Sequence, residues 1–263
     1  MGKVTISTLD KMKAAAEKFV CITAYDATFA RMISQAGAET ILVGDSLGMV
    51  LQGHDSTIPV TMEHMSYHTE CVCRAAPESL VIADMPFMTY STPEQAMENA
   101  TQLMQAGAQM VKMEGGTWLS DTISMLVERG VPVCAHLGLT PQSVNTFGGF
   151  KVQGRTPKEA KSILADAVEI QDAGASLLVL ECVPSKLAAD ISRKMDIPVI
   201  GIGAGAGTDA QVLVMHDLLG LSDHSARFVQ NFMEGQSTIQ GALESFVQAV
   251  KAGEYPREEH SYT

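Results

Sequence analysis

The sequence predicts an α/β protein whose eight parallel strands close into a single (β/α)8 barrel. Three observations predict it. Short apolar runs alternate with stretches of helical length, the pattern of a parallel sheet. The junctions repeat: a helix ends in Ala-Gly-Ala, an apolar run comes next, and an acid closes the run. The length of 263 residues also lies near the ~250 typical of such a barrel. An open, doubly wound sheet is the alternative that alternation alone leaves standing. On this reading residues 1–263 form one domain with short N-terminal and C-terminal extensions.

The expected strands are 19–23, 40–43, 80–83, 109–113, 131–135, 176–180, 197–202 and 212–215. Each is short and apolar throughout or nearly so, as strands buried on both faces should be. The last is the weakest, because its residues also suit a helix. Clear helices are expected over 93–105, 118–128 and 157–172. Pro93 comes after Ser91-Thr92, placing a capping hydroxyl just before a proline at the first helical position. Ala36-Gly37-Ala38, Ala106-Gly107-Ala108 and Ala173-Gly174-Ala175 each put a glycine where a helix ends left-handed.

Composition excludes several classes. The chain is 46% hydrophobic and 18% charged, ordinary for a globular protein. A net charge of −12 opposes binding to nucleic acid or anionic lipid, which begins with neutralising phosphate. No apolar stretch is long enough to span a bilayer, and the first residues lack a signal-peptide apolar run, so a cytoplasmic location is expected. Cys21, Cys71, Cys73, Cys134 and Cys182 include no Cys-x-x-Cys pair and read as free thiols packed like small apolar groups. Trp118 and the 16 methionines read as core.

The chemistry lies at the ends of the strands. Asp45, Asp84, Glu114 and Glu181 all stand at the same end of their respective strands. A single acid there is an ordinary helix cap, but four form a constellation at the end where barrel active sites lie. Like charges 4 Å apart repel by ~4 kcal/mol at an effective dielectric of 20. A hard cation would resolve that conflict, and all-oxygen ligands favour Mg²⁺ or Mn²⁺. Helix capping and pairing with Lys112 or arginines is the competing account.

Lys112 and Glu114 are two apart in a strand, so both face the barrel axis. Such a lysine could hold a carboxylate or oxyanion, form a Schiff base, or serve as a structural ion pair. His136 ends its own strand beside them, where either a site role or a structural role is open. Gly201-Ile202-Gly203-Ala204-Gly205 reads as a tight turn or as backbone approaching an anion. It does not read as a dinucleotide motif, which belongs to the first strand of its fold.

An ordered set of motifs runs from about Thr8 to the C-terminus. They are Val43-Gly44-Asp45-Ser46-Leu47-Gly48-Met49, Gln52-Gly53-His54-Asp55-Ser56-Thr57, Ala83-Asp84-Met85-Pro86-Phe87 and Val111-Lys112-Met113-Glu114-Gly115-Gly116. His136-Leu137-Gly138-Leu139-Thr140-Pro141-Gln142, Lys151-Val152-Gln153-Gly154, Leu180-Glu181-Cys182-Val183-Pro184 and the glycine-rich turn continue the series, which ends at Tyr255-Pro256 and Glu259-His260-Ser261-Tyr262. Together they resemble the 3-methyl-2-oxobutanoate hydroxymethyltransferase (ketopantoate hydroxymethyltransferase) family. Ala210 stands where that pattern has glycine.

The resemblance implies a TIM barrel of the phosphoenolpyruvate/pyruvate type. It implies hydroxymethyl transfer from 5,10-methylenetetrahydrofolate to 3-methyl-2-oxobutanoate, giving 2-dehydropantoate for pantothenate and coenzyme A synthesis. By the same resemblance Asp45, Asp84 and Glu114 hold one Mg²⁺ per subunit, Glu114 directly or through water. Asp45, Ser46, Asp84, Lys112 and His136 then contact the ketoacid, Glu181 accepts its proton, and the subunits form a homodecamer. The rival expectations are a lyase of the same barrel type, a Schiff-base aldolase using Lys112, and a non-catalytic ketoacid sensor.

Overall fold

The computed structural model describes residues 2–76, 78–222 and 226–263; Met1, where the N-terminal stretch begins, lies outside them. Eight strands form a closed, wholly parallel barrel in sequential order. They are β1 (Phe19–Thr23), β2 (Thr40–Val43), β3 (Leu80–Asp84), β4 (Met110–Glu114), β5 (Val133–Gly138), β6 (Leu177–Glu181), β7 (Val199–Ile202) and β8 (Ala210–Leu213). Closure is made by β1 against β8, with Phe19 opposite Ala210 and Ile22 opposite Leu213. The open doubly wound sheet is thereby excluded.

All but the final residue of β5 and of β6 are buried along the strands, which is why the sequence shows continuous apolar runs rather than alternation. The outer faces pack on helices Ala27–Gln35, Met62–Cys73, Pro93–Gln105, Ser120–Glu128, Pro157–Asp172, Ser185–Lys194 and Ile239–Lys251. Local chemistry fixes their starts. Thr92 caps Gln95 N–H with Pro93 next in the chain, and Thr156 forms a capping box with Glu159 ahead of Pro157. The Ala-Gly-Ala glycines do take left-handed backbone: φ is +89° at Gly37, +110° at Gly107 and +106° at Gly174.

Three expectations need correction. The eighth strand begins at Ala210, two residues early, and Met215 opens a short helix instead of ending the strand. Gln211 interrupts the apolar run, but it is buried and donates to Gly205 O and Thr208 Oγ1, so it pairs as strand. Ala210 sits fully buried between β1 and β7, and its methyl is accommodated. Second, β7 joins β8 without an intervening helix. The small residues of that link lie against helix Ser185–Lys194, where a Cβ on Gly207 would come 2.6 Å from Ala189 Cβ. Third, Trp118 is not core: it is 63% exposed, in a 3₁₀ turn (Thr117–Leu119), with its ring stacked 6.2 Å from that of Tyr90.

No helix among the described residues is long and apolar enough to cross a membrane. Cys21, Cys134 and Cys182 are buried free thiols, and Cys71 and Cys73 are half-buried ones.

Candidate active site

Strand register brings the polar residues together. Asp84 lies opposite Lys112, Glu114 opposite His136, and Gly138 opposite Glu181. Because side chains two apart share a face, Lys112 with Glu114 and Cys134 with His136 point toward the axis. Asp45 joins from the turn after β2: its backbone N–H donates to Asp84 Oδ2 at 3.0 Å. Gly44 leaves room for Ser46 beside it, since a Cβ there would meet Ser46 Oγ at 2.7 Å. Gly138, at φ +90°, is required still more strictly, since a Cβ there would lie 2.2 Å from Glu181 O.

Asp45, Asp84, Lys112, Glu114 and His136 are each 5% exposed or less. Lys112 Nζ is 2.5 Å from Asp84 Oδ1 and 3.2 Å from His136 Nδ1. His136 Nδ1 is also 3.5 Å from Glu114 Oε1, and its Nε2 is 3.2 Å from Glu181 Oε2. The Lys112–Asp84 and His136–Glu181 pairs are ion-pair contacts, and among the described residues Asp84 Oδ1 and His136 Nε2 make no well-formed hydrogen bond. Glu181 is the most exposed acid of the set, at 15% of its side chain. Cys182, next in the chain, has φ +46°, a sharp turn for a residue with a side chain.

Electrostatics here are set by the crowding. Burial, then the charges of Asp84 and Glu114, push the Asp45 carboxyl well above the usual range. Burial opposes ionisation of Glu114 too, but hydrogen bonding to His136 and the charges of His136 and Lys112 outweigh it, so its pKa falls. Burial opposes the Lys112 cation, yet Asp84, Glu114 and Asp45 together raise its pKa. Burial and Lys112 oppose protonation of His136, but Glu114 and Glu181 push it up to about 9. A protonated His136 cannot accept from Lys112. A neutral His136 accepts from Lys112 Nζ at 3.2 Å, and a protonated one turns instead to the carboxylates of Glu114 and Glu181.

All the acids, lysine and histidine singled out from the sequence therefore meet. Ser46 lies at the edge, half-buried, its Oγ 2.9 Å from Tyr25 OH. The glycine-rich turn after β7 is filled by protein: a Cβ on Gly203 would strike Phe228 and one on Gly205 would strike Ser185, so its turn reading stands. Three residues of the cluster are absent from the sequence reading. Tyr25, Tyr90 and Gln142 are buried and bond into the cluster, but they are uncharged and lie outside the strands. Their only sequence signal is position, Gln142 closing the motif that begins at His136.

The donor set suits a hard cation. Among the described residues Asp84 Oδ1 is a buried carboxylate oxygen with the Lys112 ammonium against it but no well-formed hydrogen bond, and Asp45 is buried close to the charges of Asp84 and Glu114. Among the described residues no three His, Cys, Asp or Glu side chains form a ready cage. Mg²⁺ does not need one, since it keeps several waters and takes one or two carboxylates. Glu114 is already engaged by Gln142 N–H at 2.9 Å and by His136, which suits contact through water. A surface cavity of ≈ 570 Å³, bounded by Ser185, Arg227 and Arg257, contains none of these groups.

Comparison with known proteins adds the lineage. The family model described as ketopantoate hydroxymethyltransferase matches residues 3–258. A 3-methyl-2-oxobutanoate hydroxymethyltransferase of Pseudomonas putida is 57% identical over 265 residues, covering 100% of both chains. One from Hahella chejuensis is 60% identical over 260 residues, covering 98% of each. Among solved structures, phosphoenolpyruvate phosphomutase from Streptomyces platensis subsp. rosaceus superposes with TM-score 0.62 at 15% identity, over 84% of this chain and 83% of that one. Phosphonopyruvate hydrolase, solved with oxalate and Mg²⁺, gives 0.61 at 11% identity over 80% of each. These two share the barrel. With the family model and the full-length relatives in agreement, the chain belongs to the ketopantoate hydroxymethyltransferase family.

Proposed function

We propose that this protein transfers a hydroxymethyl group from 5,10-methylenetetrahydrofolate to 3-methyl-2-oxobutanoate, giving 2-dehydropantoate in pantothenate synthesis. Family membership supports the transfer and the ketoacid. The observation that carries the mechanism is the chain of contacts from Asp84 through Lys112 and His136 to Glu181. It sets Asp84 and the more exposed Glu181 carboxylate on either side of Lys112 and His136.

Asp45 and Asp84 would hold a divalent ion, Mg²⁺ in this reading, with Glu114 acting through water. Bound there, the ion supplies Lewis-acid polarisation of a ketone oxygen, worth several kcal/mol. The protein's own groups do the rest. Glu181 takes the proton from C3 of the ketoacid, a general-base contribution of ~10²–10⁴-fold. Lys112 faces the enolate oxygen that develops, and His136, with Nε2 at 3.2 Å from Glu181 Oε2, orients that carboxylate. Ser46, steadied by Tyr25, contacts the ketoacid carboxylate. C3 then bonds to the methylene carbon while both carbon–nitrogen bonds of the folate bridge break. Water supplies the hydroxyl, and its second proton and that from C3 end on the two nitrogens.

The test is exchange of the C3 proton into D₂O, monitored by NMR with Mg²⁺ and without folate. Exchange that requires the metal is expected, and its absence would remove the enolate step. The remaining parts of the reading are one domain over residues 1–263, a cytoplasmic location and a homodecamer, the last checked by sedimentation equilibrium.

A further inference from the structure

The Gln142 side chain makes three hydrogen bonds at the barrel mouth, and the mechanism above does not use it. It is 5% exposed, in the 3₁₀ turn Pro141–Ser143 just after β5. Its backbone N–H donates to Glu114 Oε2 at 2.9 Å. Its amide nitrogen donates twice, to Asp45 Oδ2 at 2.8 Å and to Met85 O at 2.9 Å. Its amide oxygen accepts from Tyr90 OH at 2.5 Å. Two acceptors on one side and a hydroxyl on the other fix which end is nitrogen.

Tyr90 completes the arrangement. With its proton given to Gln142, its oxygen accepts from Glu114 N–H at 3.3 Å. Its ring is held by stacking against Trp118. One residue thus joins the turn after β2, the end of β3, the end of β4 and the loop after β5.

We propose that Gln142, backed by Tyr90, is the positioning residue that orients the Asp45 and Glu114 carboxylates for a divalent cation. The inference rests on the cation site of the proposed function. By occupying Asp45 Oδ2 and Glu114 Oε2, Gln142 leaves one defined oxygen of each acid outside that tether, while Asp84 is tied to the same turn by the Asp45 N–H. An acid so tethered loses little further conformational entropy when the ion arrives. Outer-shell partners of this kind are worth 10–100-fold in metal affinity.

The test is Mn²⁺ binding to the intact protein, read by electron paramagnetic resonance of the free ion, for wild type, Gln142→Leu and Tyr90→Phe. Gln142→Leu should weaken Mn²⁺ about 10–100-fold, and Tyr90→Phe by a smaller factor in the same direction. Turnover at saturating metal should recover more fully than at limiting metal, a split that general loosening of the fold would not give. Mn²⁺ affinity within twofold of wild type in a folded Gln142→Leu protein overturns the proposal. Should that variant not fold, unchanged affinity in Tyr90→Phe, which keeps the ring stack, overturns it instead. A wild type that binds no Mn²⁺ would fail the cation site itself, a result distinct from either.

Discussion

Lys112→Met removes one positive charge from the barrel axis while keeping most of the stem's bulk. In the native protein Lys112 Nζ sits 2.5 Å from Asp84 Oδ1, and both side chains are 4% exposed. Deleting one partner of a buried pair costs ~3–5 kcal/mol, because the other charge stays buried without compensation. Here the penalty falls on more than Asp84, since Asp45 and Glu114 also contribute to holding the lysine charged. A loss of about 3–5 kcal/mol is therefore expected in urea unfolding with EDTA at pH 7.5 and fixed protein concentration. Mg²⁺ should return part of it, because a bound ion supplies the missing charge. The reasoning is refuted if the variant loses less than ~1 kcal/mol, the scale of an exposed pair, or if Mg²⁺ stabilises it no more than wild type.

Three further outcomes are expected. Glu181→Gln should lower C3 proton exchange by ~10²–10⁴-fold while calorimetry still detects ketoacid binding; loss of binding instead would make Glu181 a binding group. For the wild type, Mg²⁺ at 100 times its Kd should add ~2.7 kcal/mol to stability, and none in Asp84→Ala if that acid is a ligand. His216 has its pKa lowered below 6.5 by burial, against the raising influence of Asp217 and Asp26, and it stands beside the Tyr25 ring. A depressed folded-state pKa gives stability that is present above 6.5 and is lost as pH falls toward the folded value. His216→Asn should therefore flatten the loss of stability between pH 7 and pH 5, and an unchanged slope would contradict it.

The barrel was legible because its strands are buried on both faces and its helices end at glycine. The acids were legible because a charge at the end of an apolar run stands out. The rest was hidden for physical reasons. The start of β8 is hidden because Gln211 is polar, and its two hydrogen-bond acceptors come from the β7–β8 link and exist only after folding. The missing seventh helix left little trace, because a run of small residues suits either a turn or a close-packed link. Helical spacing alone assigns Trp118 to the core, whereas it sits 63% exposed in the 3₁₀ turn that follows Gly115-Gly116. Gln142 and Tyr90 carry no charge and obey no period. Their importance emerges only when four strand ends meet around them.

At the centre of the mechanism, Asp45 and Asp84 bind a cation and a ketoacid as one unit. The most direct measurement is calorimetric titration of 3-methyl-2-oxobutanoate into the wild type and into Asp84→Ala, each with Mg²⁺ and with EDTA. Tighter ketoacid binding with Mg²⁺ in the wild type, and no metal effect in the variant, is the predicted result. Equal metal dependence in both proteins, or none in the wild type, would contradict it.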